Sequence, residues 1–222
     1  MTAVVDVITE ISKKVENGFA KFGPKMVKYL QETRSADTRT LFVGCFGDSL
    51  KACPAMVPQL IDQILPCALS NLNDEDSSMY RNTCYCIRVL SEFGGAVIGP
   101  RAPEILQYLW KVISTPEIDP ATIDNAISAV GAMIIGYPVG FPYESVLPAW
   151  FAQLPLKDDY EEANVILRTL ITMINAQVNL GDYNELAVKL LFDGVITHDK
   201  DPDKYKLEKV TIDTIIALLK AM

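Results

Sequence analysis

The chain has 222 residues, half of them hydrophobic, with a formal net charge of −8 and an isoelectric point near 4.7. This composition supplies ample apolar surface for a core and excludes wholesale disorder. Phosphate-backbone binding needs clustered Lys and Arg, so no nucleic-acid partner is expected and basic proteins suit the surface better.

In chain order, apolar spacing predicts eleven helices in an antiparallel zigzag. The pairs are 2–20 with 23–33, 36–53 with 55–71, 77–94 with 101–114, 120–137 with 143–153, and 159–176 with 183–197, followed by an unpaired helix over 202–221. The first helix of each pair is termed A and the second B. No basic stretch with an apolar core opens the chain, so no signal peptide is expected. Cys45, Cys53, Cys67, Cys84 and Cys86 sit within apolar helical runs and read as small buried hydrophobes in a reducing compartment. Gly94 and Gly95 suit a left-handed helix stop. Asp119-Pro120 and Asp201-Pro202 read as an N-cap followed by proline at the first helical position, where its missing N–H costs nothing. Ile123, Ile127, Val130, Ile134 and Tyr137 recur at helical spacing. The uncharged stretch from Asn125 to Tyr143 is interrupted by Gly136, Pro138, Gly140 and Pro142, so no membrane span is expected. Asp158, Asp159, Glu161 and Glu162 crowd a helix start, where the dipole favours negative charge. The apolar stripe that follows, Ala163 to Ile174, is wide enough for contact on two sides.

These helices carry a repeat. Arg39, Arg81, Asn125 and Asn164 each precede an apolar helical run, roughly every forty residues. That period, with helix pairs and no strand-like alternation, predicts an all-α HEAT-repeat superhelix, a single solenoid segment over 1–222. Asn82, Asn125 and Asn164 occupy matched positions early in A helices, as rungs that bond the preceding inter-repeat loop. A solenoid presents an extended surface, which points to protein binding rather than catalysis.

The chemical motifs point the same way. His198 is the one histidine and reads as a solvated residue near a helix end. No nucleophile elbow, Walker A loop or dinucleotide fingerprint occurs. Cys84 and Cys86, two apart on a helix, point about 200° apart. Asp199, Asp201 and Asp203 resemble the start of a calcium loop, but Lys204 and Val210 stand where it requires Gly and Glu. No catalytic residue, cofactor or metal is therefore expected.

Three stretches resemble the importin-β (karyopherin-β) superfamily. They are Arg81 through Gly95, Asp124-Asn125-Ala126, and Val146-Leu147-Pro148 continuing to Leu154 through Glu162, in family order and spacing. The segment Ile196 to Lys204 is similar to the family's approach to its last helix. The branch most resembled is the importin-four/importin-five type, over 36–222 and more weakly over 1–35. Cys84, Tyr85 and Cys86, where relatives prefer small aliphatics, and Phe46-Gly47-Asp48 depart from the family pattern.

The resemblance implies the C-terminal part of a longer nuclear import receptor that shuttles between cytoplasm and nucleus. It binds basic cargo (nuclear localisation signals, histones or ribosomal proteins) and Phe-Gly nucleoporins without catalysis. Ran-GTP is implied as a partner chiefly of the N-terminal arch, outside this chain. The family pattern puts B helices on the concave side, making Gln59, Asp62, Gln63, Glu104, Gln107, Gln153 and Glu185 the cargo-contact candidates. On the A helices, Tyr85, Arg88 and Ser128 are expected to rim a slot for a phenylalanine. Trp110 and Trp150 are expected in the core. The competing expectation is a HEAT scaffold subunit of another complex.

Overall fold

The computed structural model describes residues 2–15, 18–31, 33–74 and 76–221. Among them the chain is helical throughout, without strands. The α-helices are α1 (Thr2–Lys14), α2 (Gly23–Met26), α3 (Ala36–Ala52), α4 (Val57–Asn71), α5 (Tyr80–Phe93), α6 (Ala102–Ser114), α7 (Pro120–Gly136), α8 (Tyr143–Phe151), α9 (Ala163–Asn175), α10 (Asn184–Lys200) and α11 (Lys209–Ala221). Short 3-10 turns lead into α4, α5, α6, α9 and α10.

Most boundaries follow the local chemistry. Asp119 caps α7 through the Thr122 N–H at 2.9 Å, with Pro120 at the first helical position. Gly95 adopts the left-handed conformation after α5. Three expectations are corrected. The first helix ends at Lys14 rather than 20, and its partner shrinks to α2 plus a 3-10 turn. The last helix begins at Lys209, not 202: Asp201 ends α10, and its carboxylate accepts the Lys204 N–H within a loop. His198 is half-buried, with Nδ1 2.6 Å from the Tyr205 carbonyl oxygen, holding that loop against α10.

The architecture is an all-α HEAT solenoid. The A helices α1, α3, α5, α7, α9 and α11 pack on one another in chain order, and the B helices rest against this layer. The closest joint is α5 on α7. Small residues permit it: α7 carries Ala126, Ala129, Gly131 and Ala132, all buried. A β-carbon at Gly136 would lie 2.1 Å from the Ser91 carbonyl oxygen, and one at Gly131 would lie 2.6 Å from Thr169 Oγ1 on α9. α7 is therefore enclosed along most of its length. Trp150 of α8 is fully buried and donates its indole N–H to the Ile127 carbonyl at 3.0 Å. Trp110 is half-buried against the core. One continuous apolar core runs from Val5 to Ile215.

Candidate functional site: a strapped groove on the A-helix layer

The A helices do not form a flat layer. α5 and α9 flank α7, and their side chains meet over it. Arg81 Nη2 of α5 lies 2.7 Å from Asp159 Oδ2 in the turn entering α9. Arg88 Nε lies 3.0 Å from Glu162 Oε2. Arg168 Nη1 of α9 lies 2.5 Å from Glu92 Oε1 of α5. These pairs bridge α7, so it forms the floor between its two flanking helices. The Ala- and Gly-rich surface of α7 lets the neighbouring A helices come this close.

Two adjoining clefts of about 530 and 560 Å³ make up the groove and share Lys51, Glu161 and Glu162. Lys51 on α3 and Lys206 ahead of α11 thus border the same opening.

A buried charge network forms its floor. Arg88, 1% exposed, is held by Glu92 at 3.0 Å and by Glu162, and its guanidinium lies over the Tyr85 ring. Ser128 of α7, wholly buried, donates its hydroxyl to Glu162. Tyr85 donates its hydroxyl to Asp48 of α3 at 2.9 Å, extending the network to a fourth helix. Two arginines and two glutamates balance, as buried charges must. Burial pushes the Glu162 carboxyl above the usual carboxylate range, outweighing the Arg88 charge and the Ser128 hydrogen bond that act the other way. Burial also pushes the Tyr85 hydroxyl up, and the Cys86 thiol up to about 12, so neither supplies an anion at neutral pH. The charged walls neutralise each other; the arrangement fixes geometry.

At the rim lies a second polar device. The Asp124 carboxylate accepts the backbone N–H groups of Lys157, Asp158 and Asp159 at 2.7 to 3.1 Å. Beside it, Asn125 donates to Asp159 Oδ2 and to the Ala121 carbonyl. Asn164 accepts the Glu208 N–H at 3.1 Å. Asn82 donates to the Thr40 carbonyl of α3 at 3.3 Å. The ladder therefore exists with a different direction: Asn125 and Asn164 hold the loop that follows them, and only Asn82 reaches backward. Arg39, at the same stage of α3, holds Asn71 and Asp74.

No family model matches the chain. Curated relatives do. The probable importin subunit beta-4 of Schizosaccharomyces pombe is 24% identical over 78% of this chain and 16% of its own length. Human importin-4 is 27% identical over 65% of this chain and 13% of its own. The probable importin-5 homolog of Dictyostelium discoideum is 27% identical over 89% of this chain and 20% of its own. The chain is similar to importins of the importin-4/importin-5 branch of the importin-β superfamily. It spans between 13% and 20% of the length of these relatives.

The structure places the expected contact residues in different settings. Gln59, Asp62, Gln63, Glu104, Gln107 and Glu185 are exposed on the B helices α4, α6 and α10. Glu104 pairs there with Arg101 at 2.8 Å. Gln153 is half-buried and accepts from Lys157 Nζ at 3.3 Å. Tyr85 lines the groove, half-buried. Arg88 lines the second cleft while engaged by Glu92 and Glu162, and Ser128 is wholly buried beneath it, bonded to Glu162. An apolar opening lies elsewhere: Val188, Phe192 and Leu219 of α10 and α11 border a cleft of about 660 Å³, with Phe192 54% exposed.

Sequence reasoning singled out Tyr85, Arg88 and Ser128 but missed their partner Glu92, the Arg168 that reaches it, and the loop-holding role of Asp124. Arg88 and Glu92, four apart on a helix, were a readable signal. Asp124, a carboxylate amid the apolar run of α7, was another. Their partners lie about 35 to 80 residues away in sequence and follow no local pattern.

Proposed function

We propose that the chain is a protein-binding segment from the C-terminal part of a nuclear import receptor, acting by reversible association without catalysis. The observation that carries this reading is homology to several named importins along most of the chain, combined with the all-α stacked architecture. Val4 and Val7 of α1 stand 59% and 57% exposed, one helical turn apart. That apolar edge suits packing against a further repeat and supports membership of a longer solenoid.

The partners proposed are basic cargo proteins and Phe-Gly nucleoporins, with Ran-GTP engaging chiefly other parts of a full-length receptor. The protein would shuttle between cytoplasm and nucleus. Asp62, Glu104 and Glu185 supply negative charge, with Gln59, Gln63 and Gln107 as neighbouring hydrogen-bonding groups, so these residues are the proposed cargo contacts. A phenylalanine of a Phe-Gly repeat fits the apolar cleft at Val188, Phe192 and Leu219. Among the described residues no single helix is long and apolar enough to cross a membrane, and no group of three or more His, Cys, Asp or Glu is arranged to hold a metal ion.

The test is retention of purified peptides on the immobilised chain. A Phe-Gly repeat peptide and a Lys/Arg-rich localisation peptide should both be held reversibly. Phe192→Ser should weaken the first, and joint Asp62→Lys, Glu104→Lys and Glu185→Lys substitution the second. Retention of neither peptide would contradict the reading.

A further inference from the structure

We infer that the ion pairs Arg81–Asp159 and Arg168–Glu92 are straps that fix the curvature of this segment, making α5, α7 and α9 a rigid node ahead of a more loosely joined α11. In an ordinary solenoid each repeat touches only its neighbours, and curvature is the sum of independent joints. Here two joints, α5 on α7 and α7 on α9, are coupled by pairs that skip the helix between them. Opening either joint stretches both pairs.

The placement suits resistance to both bending and twisting. Arg81 and Glu92 lie at opposite ends of α5, about 16 Å apart along its axis. Between them the Arg88–Glu162 pair, braced by Ser128, fills the gap. Each strap joins an accessible arginine to a well-covered carboxylate. The Arg81 and Arg168 side chains are 53% and 33% exposed, whereas those of Asp159 and Glu92 are 11% and 4%. The arginines can therefore be removed from the solvent side without opening the core. The end joint is built differently. α11 meets α9 less extensively than α5 meets α7, and the loop ahead of α11 is tied by the Glu208–Asn164 bond and the exposed Lys206–Glu161 pair.

The test measures distances across the groove. Spin labels go on Asp37→Cys in α3 and Asp213→Cys in α11, in a Cys67→Ser background of the whole chain. The strapped chain should give a narrow distance distribution. Arg81→Ala with Arg168→Ala should broaden it roughly twofold, because each joint then fluctuates independently, while helical circular dichroism is retained. Arg81→Lys with Arg168→Lys, which keeps both charges, should restore most of the narrow distribution. An unchanged width in the alanine pair, or a width in the unsubstituted chain as broad as the variant's, overturns the inference. Should the alanine pair fail to fold, two further samples decide: single Arg81→Ala, and the unsubstituted chain taken from about 0.1 M to about 1 M salt, where exposed charges are screened within about 3 Å. Broadening in either supports the straps; no broadening in both overturns them.

Discussion

The carboxylate of Asp124 lies 2.7 Å from the backbone nitrogen of Asp158, and the same side chain also takes the N–H groups of Lys157 and Asp159. A charged acceptor buried in α7 thus organises the turn that begins the next repeat. Charge-assisted bonds of this kind are stronger than neutral ones, and their loss leaves three amides without their acceptor. Asp124→Ala should lower unfolding free energy by about 3 kcal/mol. Urea titration followed by circular dichroism reads the effect, and a loss below about 1 kcal/mol would show that the loop holds itself.

Asn125→Ala removes one amide that bonds both Asp159 and the Ala121 carbonyl. The expected cost is about 1–2 kcal/mol, since those partners are left deep in the structure. Asn82 is half-buried, with a single long bond to Thr40. Asn82→Ala should therefore cost less, about 0.5 kcal/mol. Equal losses in the two variants would contradict this ranking.

Gly131→Ala tests the close approach of α7 and α9. The added carbon would meet Thr169 Oγ1 at 2.6 Å. Overpacking of this kind costs about 1–3 kcal/mol. Combining it with Thr169→Ser, which removes a methyl but keeps the hydroxyl, should not relieve the clash, whereas Thr169→Ala should recover part of the loss. Thermal melts of the three variants decide.

Glu162 gives the fold a signed pH dependence. Burial raises its folded-state pKa, against the pull of Arg88 and Lys51 and with the push of Asp159. A carboxyl with a raised folded pKa binds its proton more readily in the native than in the unfolded chain. Its contribution therefore makes the native state more stable as pH falls from the folded pKa toward the ordinary value. The slope is at most about 1.4 kcal/mol per pH unit for one proton. The stability difference between the parent chain and Glu162→Gln should accordingly shift in favour of the parent on acidification. A shift toward the variant would mean that the Arg88 pairing outweighs burial.

Thiol chemistry separates the cysteines. Cys67 is half-exposed at the solvent side of α4, whereas Cys84 and Cys86 are fully buried, with burial pushing their thiols up. Titration with a chromogenic disulfide should show a fast phase that Cys67→Ser abolishes, with Cys84 and Cys86 reacting only on denaturation. A fast phase surviving that substitution would place another thiol at the surface.

Much of this architecture was legible in the sequence, for reasons that differ by element. The 3.6-residue periodicity around Ile123–Ile134 and the Asp119-Pro120 cap located α7 to within a residue, because those signals are local. The same cap signal misled at Asp201-Pro202, where the acid ends α10 instead and its carboxylate satisfies a loop N–H. His198 read as solvated because its partner, the Tyr205 carbonyl, is supplied by a loop that local pattern treated as helix. Arg88 and Ser128 read as surface residues because their polarity is visible in sequence, whereas their cancellation by Glu92 and Glu162 requires α5, α7 and α9 to be brought together. The groove itself was illegible for a related reason: it depends on how closely helices about forty residues apart approach, set by small side chains at Ala129, Gly131 and Gly136.

The meeting of α5 and α9 over α7 is tested most directly by cross-linking across it. Arg81→Cys and Asp159→Cys, in a Cys67→Ser background, place two thiols on α5 and on the turn into α9, with α7 beneath. Treatment of the folded, dilute chain with a short bifunctional maleimide should join residues 81 and 159 within one molecule, identified by peptide mass mapping. Failure to link while each single cysteine still labels, or linkage only between molecules, would contradict a groove floored by α7.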